Sequence, residues 1–66
     1  MTDVHVEFRD GITRIVFLSP TGRSVMQKLH PGHQLLYGTT LIVERSVAGD
    51  YLRELEAGGL KIKVIH

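Results

Sequence analysis

The chain has 66 residues, of which 42% are apolar, and it contains no cysteine. This length is enough for one small core and predicts a single domain over residues 1–66, while the missing cysteines exclude disulfides and thiolate zinc sites as stabilising devices. A formal net charge of +1 excludes a strong field that would attract nucleic acid or an anionic membrane. Association with another protein chain is the stabiliser that remains available.

A β-hairpin is predicted for the first third of the chain. Apolar and polar residues alternate from Val4 to Phe8 and lead to Asp10-Gly11, a dipeptide that suits the two positive-φ positions of a type I′ turn. A two-residue turn at this place sets Arg9 opposite Ile12, and the period of two then fixes every further pair, ending with Val4 opposite Phe17.

The second strand of this hairpin is predicted to be apolar on both of its faces. In the computed register, Ile12, Val16 and Leu18 share a face with the polar residues of the first strand. A strand of this kind is typical of the centre of a sheet, or of a surface that another chain covers. We expect these three residues to line the sheet face opposite the helix, which is left for a partner chain to cover.

The middle of the chain contains two Pro/Gly breaks with an ambiguous segment between them. Ser19-Pro20-Thr21-Gly22 has the composition of a turn. Residues 23–30 fit a single helical turn, with Val25, Met26 and Leu29 on one face. They fit a short strand, with Val25, Gln27 and Leu29 on one face, equally well. Pro31-Gly32 then breaks the chain again.

A strand, a helix and a strand are predicted after Gly38. Residues 39–43 are rich in β-branched side chains, and Ser46 is the expected N-cap of a helix over 46–57, which Gly58-Gly59 ends. We interpret Gly49 as a site of close packing against a strand. The residues expected to pack this helix on the sheet are Val47, Tyr51, Leu52 and Leu55.

The terminal residues 60–65 alternate as a strand does, and this strand is expected to run parallel to the strand at 39–43, as in a split βαβ unit. The predicted fold class is α+β: an amino-terminal hairpin plus strand–helix–strand, with one helix packed on a sheet of three to four strands.

The residues carry no pattern that predicts catalysis or a cofactor. The chain has no cysteine nucleophile, no Gly-x-Ser-x-Gly elbow and no Gly-rich phosphate loop, and turns or helix caps account for Ser19, Ser24 and Ser46. His30-Pro31-Gly32-His33 would offer two imidazoles to a cation, or one pH-sensitive contact, but two exposed loop histidines are the expectation. We predict no enzyme activity, no metal and no small-molecule substrate.

Apolar side chains supply the candidate binding residues instead. Leu35-Leu36-Tyr37 lies beside a Pro/Gly turn and is either core or an exposed docking patch. Nucleic-acid binding is a weaker third candidate, after the two protein-binding functions described below, because acidic residues alternate with the basic ones and aromatic residues are few. The residues predicted to bind a protein partner are Ile12, Val16, Leu18, Leu35, Leu36 and Tyr37.

From Gly38 onward the chain resembles small head-associated proteins of Mu-like transposable phages and prophages. The resemblance covers residues 38–65 and rests on Leu41-Ile42-Val43, the capped helix with Ala48, and the stop at Gly58-Gly59. Pro31-Gly32 departs from it, because the corresponding turn of such proteins sits just ahead of the strand. The resemblance implies a minor or decorating capsid protein that binds the capsid, another large assembly or itself, in the virion or the host cytoplasm.

The alternative function is that of an inhibitor of one host protein, encoded by a phage or another mobile element. No membrane span is expected, because no apolar run approaches the roughly 18 to 20 residues that cross a bilayer. No signal peptide is expected, because the amino terminus lacks a basic start followed by an apolar stretch.

Overall fold

The structure is a computed structural model that describes residues 2–32 and 35–65. Strands β1 (Val4–Arg9), β2 (Ile12–Phe17), β3 (Thr40–Glu44) and β4 (Ile62–Ile65) form a sheet of order β3-β2-β1-β4, and the helices are α1 (Pro20–Leu29) and α2 (Arg45–Ala57). The predicted α+β class is confirmed, with two helices on the sheet rather than one. No helix of the described residues has the length and hydropathy needed to cross a membrane.

The hairpin has the predicted register, from Arg9 opposite Ile12 to Val4 opposite Phe17. Its turn differs from the prediction, because only Gly11 has a positive φ, of 80°, whereas Asp10 does not. A positive φ costs a residue with a Cβ atom more than it costs glycine, and here glycine alone takes it. The strand β2 is central in the sheet, which is one of the two arrangements that its apolar faces predicted.

The ambiguous middle segment forms helix α1, which begins earlier than any predicted element. The residues expected to form a turn supply its start: the Ser19 hydroxyl caps the helix by accepting the Gly22 N–H at 3.0 Å, and Pro20 occupies the first helical position. Proline at that position loses no hydrogen bond, so a Ser-Pro pair suits a helix start as well as a turn. The helix buries Gly22 and Met26 against the sheet.

Helix α2 begins one residue before the predicted start, and its cap is Glu44 rather than Ser46. The chain passes directly from β3 into the helix, and the backbone N–H of Arg45 donates to the carbonyl of Gly11 at 2.9 Å. The hairpin turn thus satisfies one of the backbone amides at the helix start that have no partner within the helix. The Arg45 guanidinium also lies 5.3 Å from the centre of the Phe8 ring.

The packed face of α2 is shifted from the predicted one. Ala48 and Leu55 are buried and Tyr51 and Leu52 are half-buried, but Val47 is 42% exposed because it lies at the edge of this stripe. Gly49 is exposed and an added Cβ would have nothing within 4 Å, so the prediction of close packing there is wrong. The helix ends at Gly58 and at Gly59, whose φ is +89°, as predicted.

Strands β3 and β4 lie at opposite edges of the sheet and run in the same direction. The antiparallel ladders β1–β2 and β2–β3 and the parallel ladder β1–β4 together give this arrangement. The strand–helix–strand segment is therefore a split βαβ unit, with both hairpin strands inserted between its own. The core lies between the sheet and the two helices and is built from Val4, Val6, Ile15, Phe17, Met26, Leu41, Leu55 and Leu60.

Asp3 joins the start of β1 to two distant elements. Its carboxylate accepts the Ser19 hydroxyl at 2.7 Å and the Lys61 backbone N–H at 3.0 Å. These hydrogen bonds, the one from the Lys61 amide first, hold the pKa of Asp3 below its ordinary value of 3.8, because they stabilise the ionised form. The ionised side chain thus fixes the α1 cap and the entrance to β4 together.

Candidate protein-binding site

The candidate site lies on the sheet face opposite the core. Successive strand side chains point to opposite faces, so the neighbours of the fully buried Val4 and Val6 in β1 point away from the helices. The apolar residues of α1 and α2 pack into the core on the other side. Neither helix of the described chain therefore covers this second face, which we name the open face.

Strand pairing places the side chains of the open face in rows, because residues directly opposite each other share a face. The isolated bridge between Leu36 and Thr40 extends one of these rows beyond β3. That row consists of Leu36, Thr40, Val16, His5 and Lys63. The next two consist of Ile42, Arg14, Glu7 and Ile65, and of Glu44, Ile12 and Arg9.

Apolar side chains occupy the half of the open face that β2 and β3 form. Ile42 lies diagonally next to both Val16 and Ile12 in this grid, so the members adjoin one another. Leu18 continues the face, because its N–H donates to the Asp3 carbonyl at 2.8 Å and extends the ladder of β2. We name as the apolar patch the residues Ile12 (42% exposed), Val16 (half-buried), Leu18 (46%), Leu36 (53%) and Ile42 (45%).

Charged side chains predominate in the other half of the open face, which also contains His5 and Ile65, and the exposed Glu44 lies at the β3 edge of the apolar half. Glu7 Oε1 lies 2.8 Å from Arg9 Nε and 3.8 Å from Arg14 Nη1, so one carboxylate serves two guanidinium groups. Lys63 lies on the same face beside His5. Arg9 on β1, Arg14 on β2 and Lys63 on β4 are the cations of the open face, which we name together the cationic strip, and Glu7 and Glu44 offset only part of their charge.

The predicted cluster at residues 35–37 divides among three environments. Leu35 is half-buried and packs against the core, whereas Leu36 belongs to the apolar patch. Tyr37 is 97% exposed at the tip of a turn, with a φ of 54° beside 72° at Gly38. The Thr39 N–H donates to the Leu36 carbonyl at 3.1 Å, which with the two positive φ angles is typical of a type I′ turn. Leu35 is thus withdrawn from the predicted binding surface.

Of the predicted binding residues, the structure brings Ile12, Val16, Leu18 and Leu36 together. Ile42 is a member of the same patch that the sequence interpretation did not include. The signal that would have found it is its alternation with Leu41, a core residue, once β3 is paired with β2. Alternation alone does not say which of the two residues faces the core.

His30 is not the exposed loop histidine that was predicted. It caps the end of α1, its Nε2 lies 2.8 Å from Glu54 Oε2, and its ring centre is 4.5 Å from that of Tyr51. Burial, and secondarily the charge of Glu54, raises the pKa of Tyr51. His33, the other histidine of the proposed pair, lies outside the described residues.

Two further observations concern sites where an ion or a small molecule could bind. Across residues 2–32 and 35–65, no three His, Asp or Glu side chains come together as metal ligands do. A cleft of about 660 Å³ lies between α1 and the segment that precedes β3. Its walls are mixed in polarity and consist of Pro20, Arg23, Ser24, Met26, Gln27, His30, Leu35 and Gly38.

Comparison with protein-family models, with curated proteins and with solved structures finds no match to this chain.

Proposed function

We propose that this chain is a non-enzymatic protein-binding domain that docks through the apolar patch, as a minor component of a larger protein assembly. The observation that carries the proposal is the patch itself, whose five residues adjoin one another on β2, β3 and the segments next to them. The resemblance over residues 38–65 makes a phage head the particular assembly that we propose.

The size of the patch suits a role in binding. At about 25 cal/mol per Å², covering apolar surface on the order of 300 Å² would contribute about 7.5 kcal/mol. That amount is comparable with the whole stability of a small domain, about 5 to 15 kcal/mol, so a partner would stabilise the chain considerably. A short chain without cysteine has few other means of stabilisation.

Tyr37 supports the same location. Its positive φ costs a residue with a Cβ atom about 1 kcal/mol or more, and its ring is almost fully exposed, so the fold gains little from a tyrosine at this place. Strained residues of this kind concentrate at functional sites. Tyr37 directly follows Leu36 of the apolar patch and adds an aromatic ring at its margin, which is the residue type that interfaces favour.

The proposal is tested by site-specific photocrosslinking in cells that produce the chain. The crosslinking residue p-benzoylphenylalanine replaces Ile42 in one variant and Val47 in a matched control, because the two side chains are 45% and 42% exposed on different surfaces. We expect a discrete protein adduct from position 42 and none from position 47, because only the first lies in the apolar patch.

The mass and sedimentation of the adduct then identify the kind of partner. An adduct that sediments with particles agrees with a component of an assembly, whereas a soluble complex with one host protein would favour the inhibitor. Equal crosslinking from both positions, or none from position 42, would contradict docking through the apolar patch.

A further inference from the structure

The apolar patch and the cationic strip lie side by side, and this arrangement narrows the chemistry of the partner. Resting on the proposed function, we infer that the open face accepts an amphipathic helix of another protein, about 14 residues long. One stripe of that helix is apolar, and carboxylates line the flank of the stripe that faces β1. The helix would form a third layer on the sheet, opposite α1 and α2.

The dimensions of the patch fit one helix. Its length along β2, from Ile12 to Leu18, spans six residue steps, which is about 20 Å at about 3.4 Å per residue. A helix of that length contains about 14 residues at a rise of about 1.5 Å. Across the strands, the patch reaches from β2 over β3 to Leu36, two strand spacings or about 10 Å, which is the diameter of a helix.

The positions of Arg9 and Arg14 predict which flank of the docked helix carries the carboxylates. Arg14 stands on β2 within the patch, but its guanidinium reaches toward Glu7 on β1, so its positive end lies at the border between the two halves. The side chains of Arg9 and Arg14 are 69% and 53% exposed, and they share a single carboxylate. Carboxylates on the adjacent flank of a docked helix would meet donors that Glu7 leaves free.

The same features argue against two other occupants. A second copy of this chain would present the same open face, whose three cations outnumber Glu7 and Glu44, so its positive excess would oppose a face-to-face contact. Nucleic acid would pair with the cations but would leave the aliphatic side chains of the patch without apolar contacts. A protein segment that is apolar on one side and acidic on the adjoining side complements both halves.

The experiment selects helical peptides against the full chain. A displayed library of 14-residue helices carries aliphatic residues along one stripe and random residues elsewhere, and it is sorted with the labelled chain at physiological salt. We expect the enriched peptides to concentrate Asp and Glu on one flank of the stripe. We expect them to bind the charge-reversed variant Arg9→Glu/Lys63→Glu about tenfold or more weakly.

The matched control for charge is Arg53→Glu/Lys28→Glu, which makes the same change in net charge on the two helices and should leave binding within about twofold. The matched control for apolar contact compares Leu36→Thr/Ile42→Thr with Leu29→Thr/Val47→Thr, two pairs of exposed aliphatic residues on different surfaces. Circular dichroism melts of each variant establish that it folds.

The outcomes separate this inference from the proposed function. Enriched peptides without an acidic flank, or with unchanged affinity for Arg9→Glu/Lys63→Glu, would overturn the inference, while loss of binding in Leu36→Thr/Ile42→Thr would still support docking through the patch. Peptides insensitive to both pairs of changes would count against both. Absence of any enriched helix, or binding of a 20-base-pair DNA or of a second copy through the open face, would also overturn the inference.

Discussion

Replacing Thr13 by valine should stabilise the protein. Thr13 is fully buried on the core side of the central strand β2, opposite Phe8 on one side and Val43 on the other. Its Oγ1 is buried and has no hydrogen-bond partner in the part of the chain that the structure describes. Valine has nearly the same shape and replaces this hydroxyl with a methyl group, so Thr13→Val removes a buried polar group without opening a cavity.

The magnitude follows from the cost of burying an unsatisfied polar group, which is about 1 to 3 kcal/mol. Valine also suits a central strand at least as well as threonine does. We expect Thr13→Val to raise the free energy of unfolding by about 1 to 2 kcal/mol. For a domain of this size, each kcal/mol shifts Tm by roughly 4 to 8 °C, so Tm should rise by about 5 to 15 °C.

Urea unfolding followed by circular dichroism measures the change against two controls. Thr13→Ser keeps the hydroxyl and deletes the methyl group, which should cost about 1 kcal/mol. Thr40→Val tests a buried threonine whose Oγ1 does have a partner, Thr39 Oγ1 at 3.3 Å, so it should stabilise less than Thr13→Val. Unchanged or lower stability of Thr13→Val would refute the reasoning, because the hydroxyl would then contribute to the native state.

Three further predictions concern four single substitutions. Gly49→Ala should raise the free energy of unfolding by about 0.5 to 1 kcal/mol in thermal melts, because an added Cβ meets nothing within 4 Å. Gly58→Ala should lower it, because that Cβ would lie 2.7 Å from Val25 Cγ1. The opposite order of stabilities would contradict the described helix packing. Asp3→Asn should lower the free energy of unfolding at pH 7. Because the pKa of Asp3 in the folded chain is below 3.8, the stability difference between variant and parent should persist above pH 3.8 and fade as the pH drops below it. A pH-independent difference in urea midpoints would contradict the role of the ionised carboxylate. Tyr37→Asn should raise the free energy of unfolding by up to about 1 kcal/mol, because asparagine tolerates a φ of 54° better than tyrosine does. The same substitution should weaken partner binding. A loss of stability in the melt would show that the turn needs tyrosine.

The site was predictable only where its geometry is local. Ile12, Val16 and Leu18 were assigned to the open face because a two-residue turn sets the register of the hairpin within a few residues. Leu36 and Ile42 join them only through the pairing of β3 with β2, which brings together residues far apart in the sequence. Leu35 shows the same limit, since nothing local distinguishes it from its neighbour Leu36.

The amino-acid sequence by itself determined the register of the hairpin and the end of α2 at Gly58 and Gly59, because turn geometry, side-chain alternation and glycine conformation act over short distances. Tertiary structure alone decided that the segment after Ser19 is a helix, since burial of Met26 against the sheet selects between two conformations that the local pattern satisfies equally. It also decided which apolar residues are left outside the core. Two helices occupy one face of a four-stranded sheet, and the side chains that alternate onto the other face have no covering layer within the described chain.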